Sequence, residues 1–262
     1  GYGLLALDRV LPVIATVHHP IAVDRRLELA AAPGWKRRLA LRRWYGFTGM
    51  QGRVARRVPR LLTVSEAARD EIERELRVPR QRIAVVPNGV DTETFRPLPG
   101  TARVRGRVFA TASADVPLKG LVPLLEAMAR VRASRPAELV VVGKPRKNGG
   151  VKEAIARLGL DGHVRFVSGI DDRELVELYS QAEVAVVPSL YEGFSFPAVE
   201  AMACAVPLVA TTAGALPEVV GGQGGLMVPP GDPPALAAAI GLALDDPDPV
   251  SYTHLTLPTI LR

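Results

Sequence analysis

Along the chain, short apolar runs alternate with longer stretches of mixed polarity, and glycine, proline or aspartate commonly marks the change. Apolar runs this short, bounded by turn residues, are expected as buried strands of a parallel sheet, with covering helices between them. In the first third the expected strands are 13–17, 61–64 and 83–86. The stretch 35–58 is helix-compatible and interrupted by Gly46, Gly49 and Gly52, and Ser65 is placed to cap a helix running to Leu76. Pro87-Asn88-Gly89-Val90-Asp91 reads as a turn cluster, and Pro97-Leu98-Pro99-Gly100 as a stiff linker. Beyond it, strands are expected at 107–112, 138–142, 164–167, 183–188 and 207–211. The helices between them are 121–132, 151–158, one opened by the Asp171 and Glu174 capping pair, and 198–205. Asp232 caps a last helix, 233–244. This alternation predicts an α/β protein of two Rossmann-like domains with parallel sheets. Residues 1–96 form the first domain, 97–100 the linker and 101–250 the second domain. The change of composition at 251–262 marks that tail as foreign to the fold.

Composition narrows the function classes. A chain of 262 residues with 48% hydrophobic and 23% charged positions suits a soluble globular protein with a sizeable core. No apolar run approaches the ~20 residues of a membrane-spanning helix, and Gly1-Tyr2-Gly3 does not resemble a charged signal-peptide start. The lone Cys204 excludes an intrachain disulfide and fits either a reducing, cytoplasmic setting or simply a buried small hydrophobe. The four histidines lack metal-ligand spacing, so no metal site is expected. Charge is uneven: residues 1–60 hold twelve Lys/Arg against Asp8, Asp24 and Glu28, a net of +9, while the whole chain is +6. Trp35, Leu39, Leu41, Trp44, Tyr45 and Phe47 interleave with Lys36, Arg37, Arg38, Arg42 and Arg43. Such a helix either packs on a core with its arginines solvated or lies on an anionic membrane. Nucleic acid is disfavoured as a partner, because no recognition module is present and the rest of the chain is acidic.

The stretch that carries chemistry is Ser189-Leu190-Tyr191-Glu192-Gly193-Phe194-Ser195-Phe196-Pro197-Ala198-Val199-Glu200. It joins an expected buried strand to a helix with Pro197 in its first turn. A strand–turn–helix unit points backbone N–H groups and a helix dipole at one spot, which suits a phosphate or diphosphate. Glu192 and Glu200 bracket that spot.

At these residues the sequence resembles retaining glycosyltransferases of the GT-B fold, and the Pro-Ser-x-Tyr-Glu-Gly-Phe run resembles family 4 among them. The resemblance extends over residues 11–245 and includes Thr16-Val17-His18-His19, Thr63-Val64-Ser65-Glu66 and Val86-Pro87-Asn88-Gly89-Val90-Asp91. It implies a nucleotide-diphosphate sugar as donor and transfer to a sugar, lipid or polysaccharide acceptor with the anomeric configuration kept, without metal or cofactor. By the same resemblance Glu200 binds the ribose, Glu192 contacts the sugar, and Gly193, Phe194 and Ser195 hold the diphosphate with Lys119. His18 approaches the sugar from the first domain. Gly143 and Ser168, at strand ends, are candidate contacts to the nucleotide. Ser113 stands where many family members carry a second cation. Both ends are expected to be truncated, so the chain is expected to bind donor without transferring sugar. Two alternatives are a related GT-B nucleotide-sugar epimerase and a basic membrane- or polymer-binding module, built on residues 35–60, whose donor site is vestigial.

Overall fold

The apolar runs form strands, and every strand pairing among the described residues is parallel. The structure is a computed structural model that describes residues 1–32, 34–112, 116–145, 150–221 and 224–245. Ser113 and the 251–262 tail lie outside the described residues. Residues 1–88 make one compact unit and a second begins at Gly89. The division falls inside the 87–91 turn cluster, ahead of the 97–100 stretch.

The first unit contains α1 (Gly3–Leu7), β1 (Ile14–Thr16), α2 (Ile21–Ala31), α3 (Gly34–Trp44), α4 (Thr48–Ala55), β2 (Arg60–Thr63), α5 (Glu66–Leu76) and β3 (Ile83–Val85). Its strands run in the order β1-β2-β3. Val13, Val54, Val58, Leu61, Ile72, Leu76 and Ile83 form its core. The Ser65 side chain caps α5 by accepting from the Ala68 amide at 3.0 Å, and Arg77 in the left-handed region ends the helix. Two features depart from the sequence pattern. Gly49 and Gly52 lie within α4 and do not interrupt it. A Cβ on Gly52 would stand 3.3 Å from the Arg56 side chain and in ordinary contact, 4.0 Å, with Leu76 of α5. The helix α2 was not legible either. Its Ile21 and Leu29 pack against Leu41 and Tyr45, so tertiary contact sets it more than local periodicity.

The second unit alternates strand and helix throughout: β4 (Arg107–Thr111), α6 (Leu121–Ser134), β5 (Glu138–Val142), α7 (Gly150–Arg157), β6 (Val164–Val167), α8 (Asp172–Gln181), β7 (Val184–Val187), α9 (Phe196–Ala203), β8 (Leu208–Thr211), α10 (Leu216–Val220), β9 (Leu226–Val228) and α11 (Pro233–Asp245). The sheet order is β6-β5-β4-β7-β8-β9. All four positions of β7 and of β8 are buried, as strands covered on both faces require. Leu121, Leu124, Leu125 and Met128 of α6 join Leu139, Val141 and Ile240 in the core beneath. Strand order reverses between β4 and β7, which opens a crevice at their carboxyl ends, the place where open α/β sheets bind ligands. After β8 the chain turns through Ala213, Gly214 and Ala215 into the short helix α10.

The two further helix caps expected from sequence also form. The Asp171 side chain accepts from the Glu174 amide at 2.9 Å and the Glu174 carboxylate accepts from the Asp171 amide at 3.1 Å. Asp232 accepts from the Ala235 amide at 3.0 Å. Asp171→Ala removes the first of these and is expected to cost about 1 kcal/mol, a fall of about 2–4 °C in melting temperature. A calorimetric scan of the variant checks this, and an unchanged midpoint counts against the cap.

Candidate active site

At the β4–β7 crevice two loops meet. The loop after β4 ends in a single 3₁₀ turn, Pro117–Lys119, followed by Gly120. Gly120 has a φ of +65° and lies so close to the next loop that a Cβ there would stand 1.8 Å from the Pro188 carbonyl oxygen. Only glycine fits both the conformation and the gap. The Leu190 amide then donates to the Leu118 carbonyl at 2.7 Å, which ties the loop after β7 to the loop after β4.

This approach puts an ammonium against a carboxylate. Lys119 Nζ donates to Glu192 Oε1 at 2.8 Å, and Ser189 Oγ donates to the same oxygen at 2.7 Å. Glu192 is only 8% exposed, so these bonds supply the compensation a buried carboxylate needs. The backbone of Glu192 is fixed from the β8 side as well. Its carbonyl accepts from the Ala215 amide at 2.9 Å, and Gly214 lies against it closely enough that a Cβ would stand 2.2 Å from the Glu192 oxygen. Thr211 Oγ1 donates to the Ser189 carbonyl at 2.6 Å.

From Glu192 the chain turns through Gly193, Phe194 and Ser195 into α9. Ser195 caps that helix at a φ of +105°. A non-glycine residue there is strained by about 1–3 kcal/mol, a kind of strain that clusters at functional sites. Phe194 is buried edge-on against Phe196. Within the first turns of α9, Glu200 accepts from the Tyr179 hydroxyl at 3.0 Å through Oε2, with the Pro197 carbonyl at 3.3 Å as that hydroxyl's second acceptor. Burial pushes the Glu200 carboxyl above the ordinary glutamate range against the opposing Tyr179 bond, and the Asp172 charge adds to the rise. Tyr179 is 1% exposed, edge-on to Phe109, and burial raises its phenol well above its usual value. Cys204 is pushed up to about 12 by burial and the nearby Glu200 charge, which leaves it an inert thiol.

The structure therefore brings Lys119 and Glu192 into contact and places Glu200 on the helix that follows. Gly143 closes β5, its amide donating to the Val167 carbonyl at 2.8 Å. Ser168 follows β6, so both lie at the carboxyl ends of the strands beyond β4. His18 is exposed at the end of β1 in the first unit, beside a cavity of about 360 Å³ that Thr16, His19, Ile21 and Gln51 also line. Its neighbour His19 bonds Asp24 at 3.1 Å. Two residues that hold the carboxylates, Tyr179 and Ser189, had no assigned part in the sequence reading. Ser189 lies inside the motif and could have been found there. Tyr179 lies 21 positions from Glu200 on a different helix, and no local pattern signals it. Among the described residues, no group of three or more His, Cys, Asp or Glu is placed to hold a metal ion, and no helix is long and apolar enough to cross a membrane.

An ammonium, two anchored carboxylates and a helix N-terminus at a sheet switch point can bind a polyol linked to a diphosphate. Comparison with known proteins agrees. Residues 105–246 match the family model described as glycosyl transferases group 1, and residues 1–94 match that of glycosyltransferase family 4. The chain is 52% identical over 250 residues to the MMP α-(1→4)-mannosyltransferase of Mycolicibacterium hassiacum, covering 94% of this chain and 60% of that protein. It is 34% identical over 221 residues to the D-inositol 3-phosphate glycosyltransferase of Kineococcus radiotolerans, covering 74% of this chain and 51% of that protein. The chain thus spans between half and two thirds of the length of these relatives. Among solved structures, sucrose-phosphate synthase from Thermosynechococcus elongatus superposes with a TM-score of 0.77 at 26% identity, over 95% of this chain and 63% of that one. Anabaena HepE, solved with UDP-glucose, superposes with a TM-score of 0.73 at 21% identity, over 96% and 68%. The family matches, on a GT-B fold of parallel α/β units, show that the chain belongs to the group 1 glycosyltransferases.

Proposed function

We propose that the second unit is the nucleotide-sugar donor domain of a retaining, metal-independent glycosyltransferase. The observation that carries the reading is the Lys119–Glu192–Ser189 cluster at the sheet switch point, with Glu200 following on α9. In this reading Glu200 accepts the two ribose O–H groups, as an ionised carboxylate can. The backbone of Gly193, Phe194 and Ser195 faces the diphosphate. Lys119 turns from Glu192 toward the same diphosphate and offsets the charge that builds on the leaving nucleotide. Glu192, held by Ser189, then contacts the sugar. Gly143 and Ser168 are the candidate contacts to the base and ribose side. His18 remains the first unit's candidate by family resemblance. Positive charge comes from Lys119 and the helix N-terminus, so the reading needs neither metal nor cofactor. The α linkage in the mannosyltransferase relative's description is in keeping with retention and makes a mannosyl donor the first to test. The setting is cytoplasmic, in keeping with the single buried thiol.

The cost carried by Glu200 supports the assignment. Burial disfavours the charged form of this carboxylate, a combination more common at functional sites than elsewhere.

Melting the chain with UDP, GDP or ADP and their sugar conjugates tests the donor site. A ligand at 100 times its dissociation constant adds about 2.7 kcal/mol, or about 5–10 °C for a domain of this size. The shift is expected with one base and is expected to vanish in Glu200→Ala. No shift with any nucleotide, from a chain that melts cooperatively, defeats the reading. The chain by itself is expected to transfer no sugar, and turnover of a radiolabelled donor onto mannosides would contradict that.

Glu200 also sets a pH dependence. Its folded value lies above the 4.5 of an exposed glutamate, so between the two values the native state holds more protons than the unfolded one. The Glu200 contribution therefore falls as pH rises through that window and stays low above it. Glu200→Gln keeps the bond from Tyr179 and is expected to melt higher than the parent at pH 7, with the gap closing below about pH 4. Equal melting at pH 7 would mean that Glu200 carries no burial cost.

A further inference from the structure

Trp35 and Trp44 are the chain's only tryptophans, and both lie on α3. They are 71% and 72% exposed, and Leu39 between them is 58% exposed. Tryptophan gains more than most side chains from leaving water, so two exposed copies on one eleven-residue helix point to a partner. The buried residue of α3 is Leu41, which packs with Tyr45 against Ile21 and Leu29 of α2. At 3.6 residues per turn, Trp35 and Leu39 fall four apart on one ridge, turned away from Leu41. Lys36 and Arg43 flank that ridge on one side, Arg38 and Arg42 on the other, and all four are exposed. Trp44 lies off the ridge at the helix end.

The charge around this ridge selects its partner. Between Glu28 and Glu66 the chain has nine Lys or Arg and no acid. Among the described residues, none of the five cations of α3 is in an ion pair with a carboxylate. A second copy of the same helix would set five cations against five, so self-association through this face is opposed. A soluble polyanion would satisfy the charge and leave the apolar ridge in water. An anionic lipid surface meets both demands, because it offers phosphates to the cations and an apolar layer to the ridge.

We propose that α3 is a membrane-docking element, seating the Trp35–Leu39 ridge in the interface of an anionic bilayer while Lys36, Arg38, Arg42 and Arg43 contact headgroup phosphates. The surface belongs to the first unit and stands independently of the donor site on the second. Its use is to hold the enzyme at a lipid surface.

Because both tryptophans lie on this helix, intrinsic fluorescence reports on it alone. The probe is vesicles of equimolar phosphatidylcholine and phosphatidylglycerol, compared with phosphatidylcholine alone and with soluble dextran sulfate. In Trp44→Phe, which leaves Trp35, emission is expected to shift to the blue with the anionic vesicles and with neither comparison. In Trp35→Phe, which leaves Trp44, the shift is expected to be smaller, since Trp44 lies off the ridge. About 0.5 M salt should release the protein, and Arg42→Gln with Arg43→Gln should lower partitioning about tenfold or more. These side chains are exposed, so melting temperatures should match the parent and separate lost docking from lost folding. The proposal is overturned if the chain does not sediment with the anionic vesicles, or binds phosphatidylcholine alone equally well. It also fails if Trp35→Ala with Leu39→Ala binds like the parent, or if dextran sulfate shifts Trp35 where vesicles do not.

Discussion

A carboxylate taken out of water must be given partners, and the second unit is arranged around one that has been. Glu192 is almost fully buried, yet it receives a lysine and a serine on a single oxygen while its backbone is pinned from the next strand. Without those groups the desolvation cost would be several kcal/mol. Each partner reaches Glu192 from a different part of the sheet: Lys119 from the loop after β4, Ser189 from the end of β7, and Gly214 and Ala215 from beyond β8. The reversal of strand order is what makes this convergence possible, because it sets the ends of β4 and β7 side by side with no strand between them.

The glycines at 120 and 214 serve the same end. Both allow one backbone to press on another at distances no Cβ tolerates, so the loops around the carboxylate are fixed by main-chain packing. Ser195 shows the other face of this economy. Its backbone is strained at the turn into α9, a departure from local preference placed where the helix N-terminus opens on the crevice. Glu200 and Tyr179 extend the pattern one turn further. A buried phenol orients the carboxylate and opposes the rise that burial imposes on it.

The first unit follows a different logic. Its parallel sheet is packed from Val13, Leu61 and Ile83, while α3 keeps its aromatic and cationic side chains in solvent. The same residue types that build a core elsewhere are here directed outward, and an uninterrupted run of positive charge accompanies them.

Most of the fold was legible in the sequence. The apolar runs of β7 and β8 announced strands buried on both faces, whereas β1, expected as buried, is exposed at Ile14 and Thr16, and the Ser65, Asp171 and Asp232 caps announced their helices. The Glu192-to-Glu200 motif and Lys119 could be singled out by family resemblance, because that pattern consists of fixed residue types at fixed local distances, and the structure brings Lys119 and Glu192 into contact. What the sequence did not decide is whatever depends on which strands become neighbours. The order β6-β5-β4-β7-β8-β9, the bond from Tyr179 to Glu200 and the contact of Gly120 with Pro188 join residues far apart along the chain. The glycines of α4, read as breaks, lie inside an unbroken helix, and α2 packs against Leu41 and Tyr45. Local pattern fixes periodicity and caps because these act within a turn or a strand. Pairing across the sheet is set by the burial that the whole unit gains, and only the tertiary structure records it.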